Sequence, residues 1–79
     1  MTIGRETVIY REVTRLHQRI RKLRIRAGLT QAQLAVACRV HKTAVSHWET
    51  GDSAPRANSL TRVARALGVS VSELYGEAA

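Results

Sequence analysis

Phenylalanine is absent from this chain, proline and cysteine occur once each, at Pro55 and Cys38, and aromatic residues make up 4% of it. One cysteine closes no disulfide within the chain, so no covalent framework organises the fold, and a reducing compartment is the simple choice. The scarcity of large rings suits small helices packed closely together. No apolar run reaches the roughly 20 residues that a membrane-crossing helix needs, and the N-terminus has no signal-peptide apolar region. Internal repeats and low-complexity segments are missing, and no segment alternates long enough to make a convincing strand. Acidic residues are few and unevenly placed. Six Asp or Glu stand against 13 Lys or Arg, for a formal net charge of +7 and a pI of about 11.1. None of the six lies between Val13 and Trp48, a span that holds Arg15, Arg19, Arg21, Lys22, Arg24, Arg26, Arg39 and Lys42. This imbalance points to an anionic partner, either nucleic acid or an acidic membrane surface.

What is present reads as helices. A chain of 79 residues bounds the fold to one small domain with a modest core. Apolar residues recur at Ile9, Val13, Leu16, Ile20, Leu23 and Ala27, a stripe that predicts a helix from about Thr7 to Ala27. Its start is open, because Thr7-Val8-Ile9-Tyr10 also suits extended backbone. Gly28 is placed to end that helix at positive φ, which turns Leu29 back onto the core. Thr30 and Gln33 form a capping box for a second helix, about Gln31 to Cys38. A third runs from about Lys42 to Thr50 and stops at Gly51. Leu60, Val63, Ala64 and Leu67 mark a fourth, closed by Gly68. Ser70 and Glu73 cap a short fifth, with Leu74 as its buried residue.

The stretch Gln31–Thr50 holds the functional signal. Leu34, Ala35 and Cys38 make one short apolar face and Val45 and Trp48 another, with Arg39-Val40-His41 between them. Two short helices joined by a tight turn describe a helix-turn-helix. Lys42, Thr43, Ser46 and His47 fall opposite Val45 and Trp48, a surface of donors suited to base edges in a major groove. The plain alternative is an ordinary solvated face. Trp48 and Cys38 read as core, the latter as a small hydrophobe. His17, His41 and His47 lack the spacing and the cysteine partners of a zinc site. Ser46 and His47 are adjacent on a helix, so their side chains diverge and form no nucleophile–base pair. With no Gly-rich phosphate loop and no paired carboxylates either, the chain does not read as an enzyme.

Leu29-Thr30-Gln31, Leu34-Ala35, Val40, Val45, Trp48-Glu49-x-Gly51, Pro55 and Ala66-Leu67-Gly68-Val69-Ser70 resemble the Cro/CI-type helix-turn-helix domain of phage repressors and Xre-like bacterial regulators. The resemblance covers about Val13 to Tyr75, with residues 1–12 as an arm or the start of helix one, 13–76 as the domain and 77–79 as a tail. It implies an all-α, compact five-helix, lambda-repressor-like DNA-binding domain whose helices 2 and 3 form the helix-turn-helix. It also implies a homodimer on a palindromic operator, with the third helix in the major groove. By this resemblance Lys42, Thr43, Ser46 and His47 match base-reading positions. Gln31 matches a residue whose side chain and helix N-terminus hold a phosphate, Arg56 matches a loop residue that approaches phosphate or the minor groove, and Arg39 and His41 at the turn are further phosphate candidates. Arg24 and Glu49 match an ion pair tying the first helix to the third. One departure is Arg39, where the family usually has Gly; another is Ala57, where a leucine is usual. Val69, Val71 and Tyr75, with the loop near Ala57, are the expected dimer surface.

Around this core of expectations, Arg15, Arg19, Lys22 and Arg26 read as a solvated helix face or as phosphate contacts, and Arg62 and Arg65 as solvated. The expected function is transcriptional repression by occupying double-stranded operator DNA, in the cytoplasm of a bacterium or from a phage, associated with the nucleoid. No cofactor, metal, membrane or small-molecule effector is expected. An antitoxin-type protein-binding module that autoregulates its promoter is the alternative, with residues 1–12 as its spare segment. A basic protein of membrane surfaces or RNA is a third class. Against it, the basic residues surround a groove-reading helix and form no single amphipathic stripe.

Overall fold

A computed structural model describes residues 16–76, and every described element is helical. Helix α1 is described from residue 16 to 26. It is followed by α2 (Gln31–Cys38), α3 (Lys42–Thr50), α4 (Ala57–Leu67) and α5 (Val71–Leu74). The expected Ile9 and Val13 positions and the arm lie outside the described residues. Leu16, Ile20 and Leu23 carry the stripe of α1 into a core shared with Leu34, Ala35, Cys38, Val45, Trp48, Val63, Ala64 and Leu74. Helix α2 packs against both α3 and α4, and α5 packs against α4.

Helix ends follow from local chemistry. Thr30 Oγ1 accepts from Gln33 N at 3.0 Å while Gln33 Oε1 accepts from Thr30 N at 2.8 Å, the expected capping box of α2. Ser70 and Glu73 repeat the arrangement at α5, at 3.1 and 3.0 Å. The Ser70 hydrogen bonds, with help from the charge of Arg19, hold the Glu73 carboxyl below the usual carboxylate range. Helices α1, α2 and α4 end alike: Gly28, Arg39 and Gly68 each take positive φ, and the following Leu29, Val40 or Val69 returns its N–H five residues back, to Arg24, Ala35 or Ala64. Each of those three apolar residues packs on the core, as this motif favours. Ala27 departs from the expected stripe. It is exposed in the turn, because the chain has already left the helix there and Leu29 supplies the inward contact.

Two positions depend on left-handed backbone. At Gly51, φ is 87°, and an added Cβ would stand 2.5 Å from the His17 ring, so α1 closes directly over the end of α3. Arg39 is the described non-glycine residue with positive φ, at 59° and ψ 43°, so the turn takes left-handed backbone without a glycine. That conformation costs about 1 kcal/mol for a side chain with a Cβ. Glycine relieves it but loses more freedom on folding. Arg39→Gly is therefore expected to raise unfolding free energy by a net of roughly 0.5 kcal/mol. Urea titration reads this, and a lower midpoint would mean that Arg39 makes contacts worth more than the strain.

Candidate nucleic-acid interface

With about 100° between successive residues, α3 divides into two arcs. Ala44, Val45, Trp48 and Glu49 fall on one, and Lys42, Thr43, Ser46, His47 and Thr50 on the other. The first arc is the packed one, with Val45 at 0% and Trp48 at 5% exposure. On the second, Lys42, Thr43, His47 and Thr50 are exposed, and Ser46 is half-buried. The four expected base-reading residues therefore share one face. Thr50 joins them and was missed, although its spacing from Thr43, Ser46 and His47 shows it. Its hydroxyl donates to the His47 carbonyl at 3.2 Å.

The angle of α3 is held by a polar network beneath it. Arg24 donates from Nε and Nη2 to the two carboxylate oxygens of Glu49, at 2.6 and 3.0 Å, and from Nη1 to the Leu29 carbonyl at 2.9 Å. The two side chains are 13% and 4% exposed, so this is a mostly buried bidentate pair. The Glu49 hydrogen bond, together with its charge, raises the Arg24 pKa above its ordinary value against the effect of burial. Gln31 Nε2 also donates to Glu49, at 3.1 Å. One of its two N–H groups is thus committed, which orients the other at the start of α2.

Capping differs between helices in a way that matters for anions. Helices α2 and α5 have capping boxes, whereas His41 at α3 and Arg56 at α4 make no side-chain cap. At α3 the Ala44 N–H already donates to the His41 carbonyl and at α4 the Ser59 N–H to Asn58 Oδ1, each at 2.9 Å, so the N–H groups left at the positive end of each dipole are those of Lys42 and Thr43 and of Ala57 and Asn58. Both uncapped starts hold expected phosphate residues, His41 and Arg56, each exposed. Pro55, beside Arg56, is buried, which anchors the loop that presents it. Arg39 is exposed at the turn, one residue past α2.

Two arginines do something other than expected. Arg19 is not a free solvated or phosphate-facing residue. Its Nε and Nη2 donate to the Glu73 carbonyl at 3.2 and 2.9 Å, tying α1 to α5. Arg62 is half-buried rather than solvated, with Nη1 3.5 Å from the Cys38 carbonyl at the end of α2, where helix carbonyls lack partners. Arg65, Lys22 and Arg26 are exposed, and Arg15 lies outside the described residues. Cys38 is fully buried, and burial pushes its thiol pKa up, which fits a packing role. Among the described residues no cluster of three potential metal ligands occurs, and no helix is long and apolar enough to cross a membrane.

Residues 20–74 match the family model described as helix-turn-helix. Over 58 residues, 73% of this chain, the sequence is 36% identical to the HTH-type transcriptional activator BcrR of Enterococcus faecalis. The match spans 28% of that protein's length. No solved structure matches the chain.

Proposed function

The chain belongs to the Cro/CI-type helix-turn-helix family, and on that premise we propose that it regulates transcription by binding double-stranded DNA in a sequence-specific manner, as a homodimer on a palindromic operator, with α3 in the major groove. The observation that carries this is the division of α3: one arc locked into the core, the other presenting Lys42, Thr43, Ser46 and His47 from a helix whose start is uncapped. Lys42 donates to guanine O6 and N7, the Thr43 methyl meets a thymine methyl, and Ser46 and His47 donate or accept at base edges. Arg39, His41, Arg56 and the free N–H of the Gln31 amide hold phosphates on either side and fix the register.

A lone module makes few base contacts, and pairing doubles them at half-sites roughly 34–36 Å apart. Val71, 38% exposed, with the half-buried Val69 and Tyr75 beside it, is the surface assigned to pairing. Sedimentation is expected to give two chains per operator duplex, and a strict monomer both free and on DNA contradicts the dimer. Repression by occlusion follows from occupancy alone and needs no cofactor or effector. The reading places the protein in the cytoplasm, on the nucleoid.

The test compares a duplex selected from random DNA with a scrambled duplex at one fixed salt. Lys42→Ala and His47→Ala are each expected to cost about 1–3 kcal/mol on the selected duplex and to relax preference at one or two base pairs. Both side chains are exposed, so melting temperatures stay near the wild-type value. Arg56→Ala, as a phosphate contact, weakens both duplexes about equally. If Lys42→Ala and His47→Ala also lose equally on both, α3 is not the reading helix and the proposal fails.

A further inference from the structure

Helix α2 is apolar on a side that the fold leaves open. Leu34, Ala35 and Cys38 face the core, yet Ala32, Val36 and Ala37 are exposed, Val36 at 78%. A helix apolar all round is ordinarily covered all round. A groove of about 430 Å3 runs between the end of α2 and α4, lined by Ala37, Arg39, Arg62, Arg65 and Ala66. No carboxylate pairs with any of its three arginines among the described residues, where the one ion pair is Arg24–Glu49. The groove also stands apart from most of the proposed DNA contacts. Gln31 opens α2 and Arg39 follows its end, a separation of roughly 12 Å at about 1.5 Å per residue. Arg62 and Arg65 lie on the second half of α4, away from Arg56 at its start, and no residue of α3 lines the groove.

We propose that this groove docks an acidic, amphipathic segment of a partner protein. Its carboxylates pair with Arg62 and Arg65, and an aliphatic side chain covers Ala37 and Ala66. The guanidinium fork matches a carboxylate in two parallel hydrogen bonds, and arginine is the charged residue most enriched where proteins meet. A run of phosphates would engage the arginines but leave the methyl groups of Ala37 and Ala66 bare, whereas an acidic amphipathic segment uses both features. Arg39 borders the two surfaces and is available to either. The assignment concerns a different face from α3 and does not rest on the DNA-binding reading.

The probe is a short helical peptide with glutamates and leucines on one face at i and i+4, titrated into the full chain and followed by heteronuclear NMR and by fluorescence anisotropy. A version with glutamine for every glutamate is the control. Shifts are expected to cluster at Ala37, Arg62, Arg65 and Ala66, and the glutamine peptide is expected to lose binding. Arg65 is exposed, so Arg65→Gln leaves the fold intact and should weaken the acidic peptide about tenfold, the effect of losing one charged hydrogen bond. Arg62→Gln should do the same or more, with its spectrum checking that the end of α2 is preserved. A protein already saturated with DNA should still take the peptide. The proposal is overturned if the acidic peptide does not bind or Arg65→Gln binds it as the wild type does. Shifts spread evenly over Lys22, Arg26 and α3, the mark of general attraction, also overturn it. So does DNA that shifts Arg62 and Arg65 and displaces the peptide, which makes the groove a phosphate site.

Discussion

Arg24→Ala is expected to lower the unfolding free energy by about 3–5 kcal/mol, the cost of leaving a buried charge without its partner. The substitution strands the Glu49 carboxylate, whose side chain is 4% exposed, with the Gln31 amide as its remaining hydrogen-bond donor. It also frees the Leu29 carbonyl at the α1–α2 corner. A domain of this size has on the order of 5–10 kcal/mol in total, so much of its stability goes with one residue. Glu49→Ala is expected to cost less, because the Arg24 guanidinium is more exposed at 13% and keeps its bond to Leu29. Replacing both with apolar residues of similar size should recover part of the loss, since the uncompensated charge is then gone. Urea and thermal unfolding followed by circular dichroism measure all three. If both single variants melt with the wild type, the pair contributes nothing and α3 is held by packing alone. The network also orients Gln31, so each variant should bind DNA more weakly even at temperatures where it is fully folded.

Affinity for DNA is expected to fall with a log–log salt slope of roughly −5 to −9. This follows if each subunit of the proposed dimer meets about three to five phosphates through cationic side chains, each contact releasing condensed counterions. Arg39 and Arg56 are candidates on the described surface, with Lys22 and Arg26 on α1 also exposed. Arg19 is withdrawn from that count by its bonds to the Glu73 carbonyl. Between 50 and 200 mM salt such a slope amounts to about a 10³- to 10⁵-fold loss. Arg56→Ala should make the slope shallower by about one per phosphate contact removed, whereas Arg19→Ala should leave it unchanged. A slope near zero would exclude the electrostatic account and leave the net charge of +7 without a role in DNA binding.

The limits of α2 and α3, and the places where α4 and α5 stop and start, follow from the sequence alone. Most are settled within a few residues: Thr30 with Gln33 starts α2, Ser70 with Glu73 starts α5, and the positive φ of Gly51 and Gly68 ends α3 and α4, whereas the break between α2 and α3 at Arg39-Val40-His41 shows only in the change of apolar face. The outer arc of α3 was legible for the same reason, because helical spacing places Lys42, Thr43, Ser46 and His47 away from Val45 and Trp48. Arg24 and Glu49 were legible through the family resemblance. The tertiary structure alone decided what the other long side chains do. Arg19 finds a carbonyl 54 residues away and Arg62 one 24 residues away, and nothing local distinguishes them from the solvated Arg26 or Arg65. It also decided that Ala27 is exposed while Pro55 is buried, and that His17 closes over Gly51. It left Val36 bare, and it gathered Arg39, Arg62 and Arg65, unrelated in the sequence, around one groove with Ala37 and Ala66. Helix ends are fixed by groups that are neighbours in the chain. The partner of a flexible cation, and the side of an apolar helix left uncovered, depend on which helices pack together, and that is set by the core as a whole.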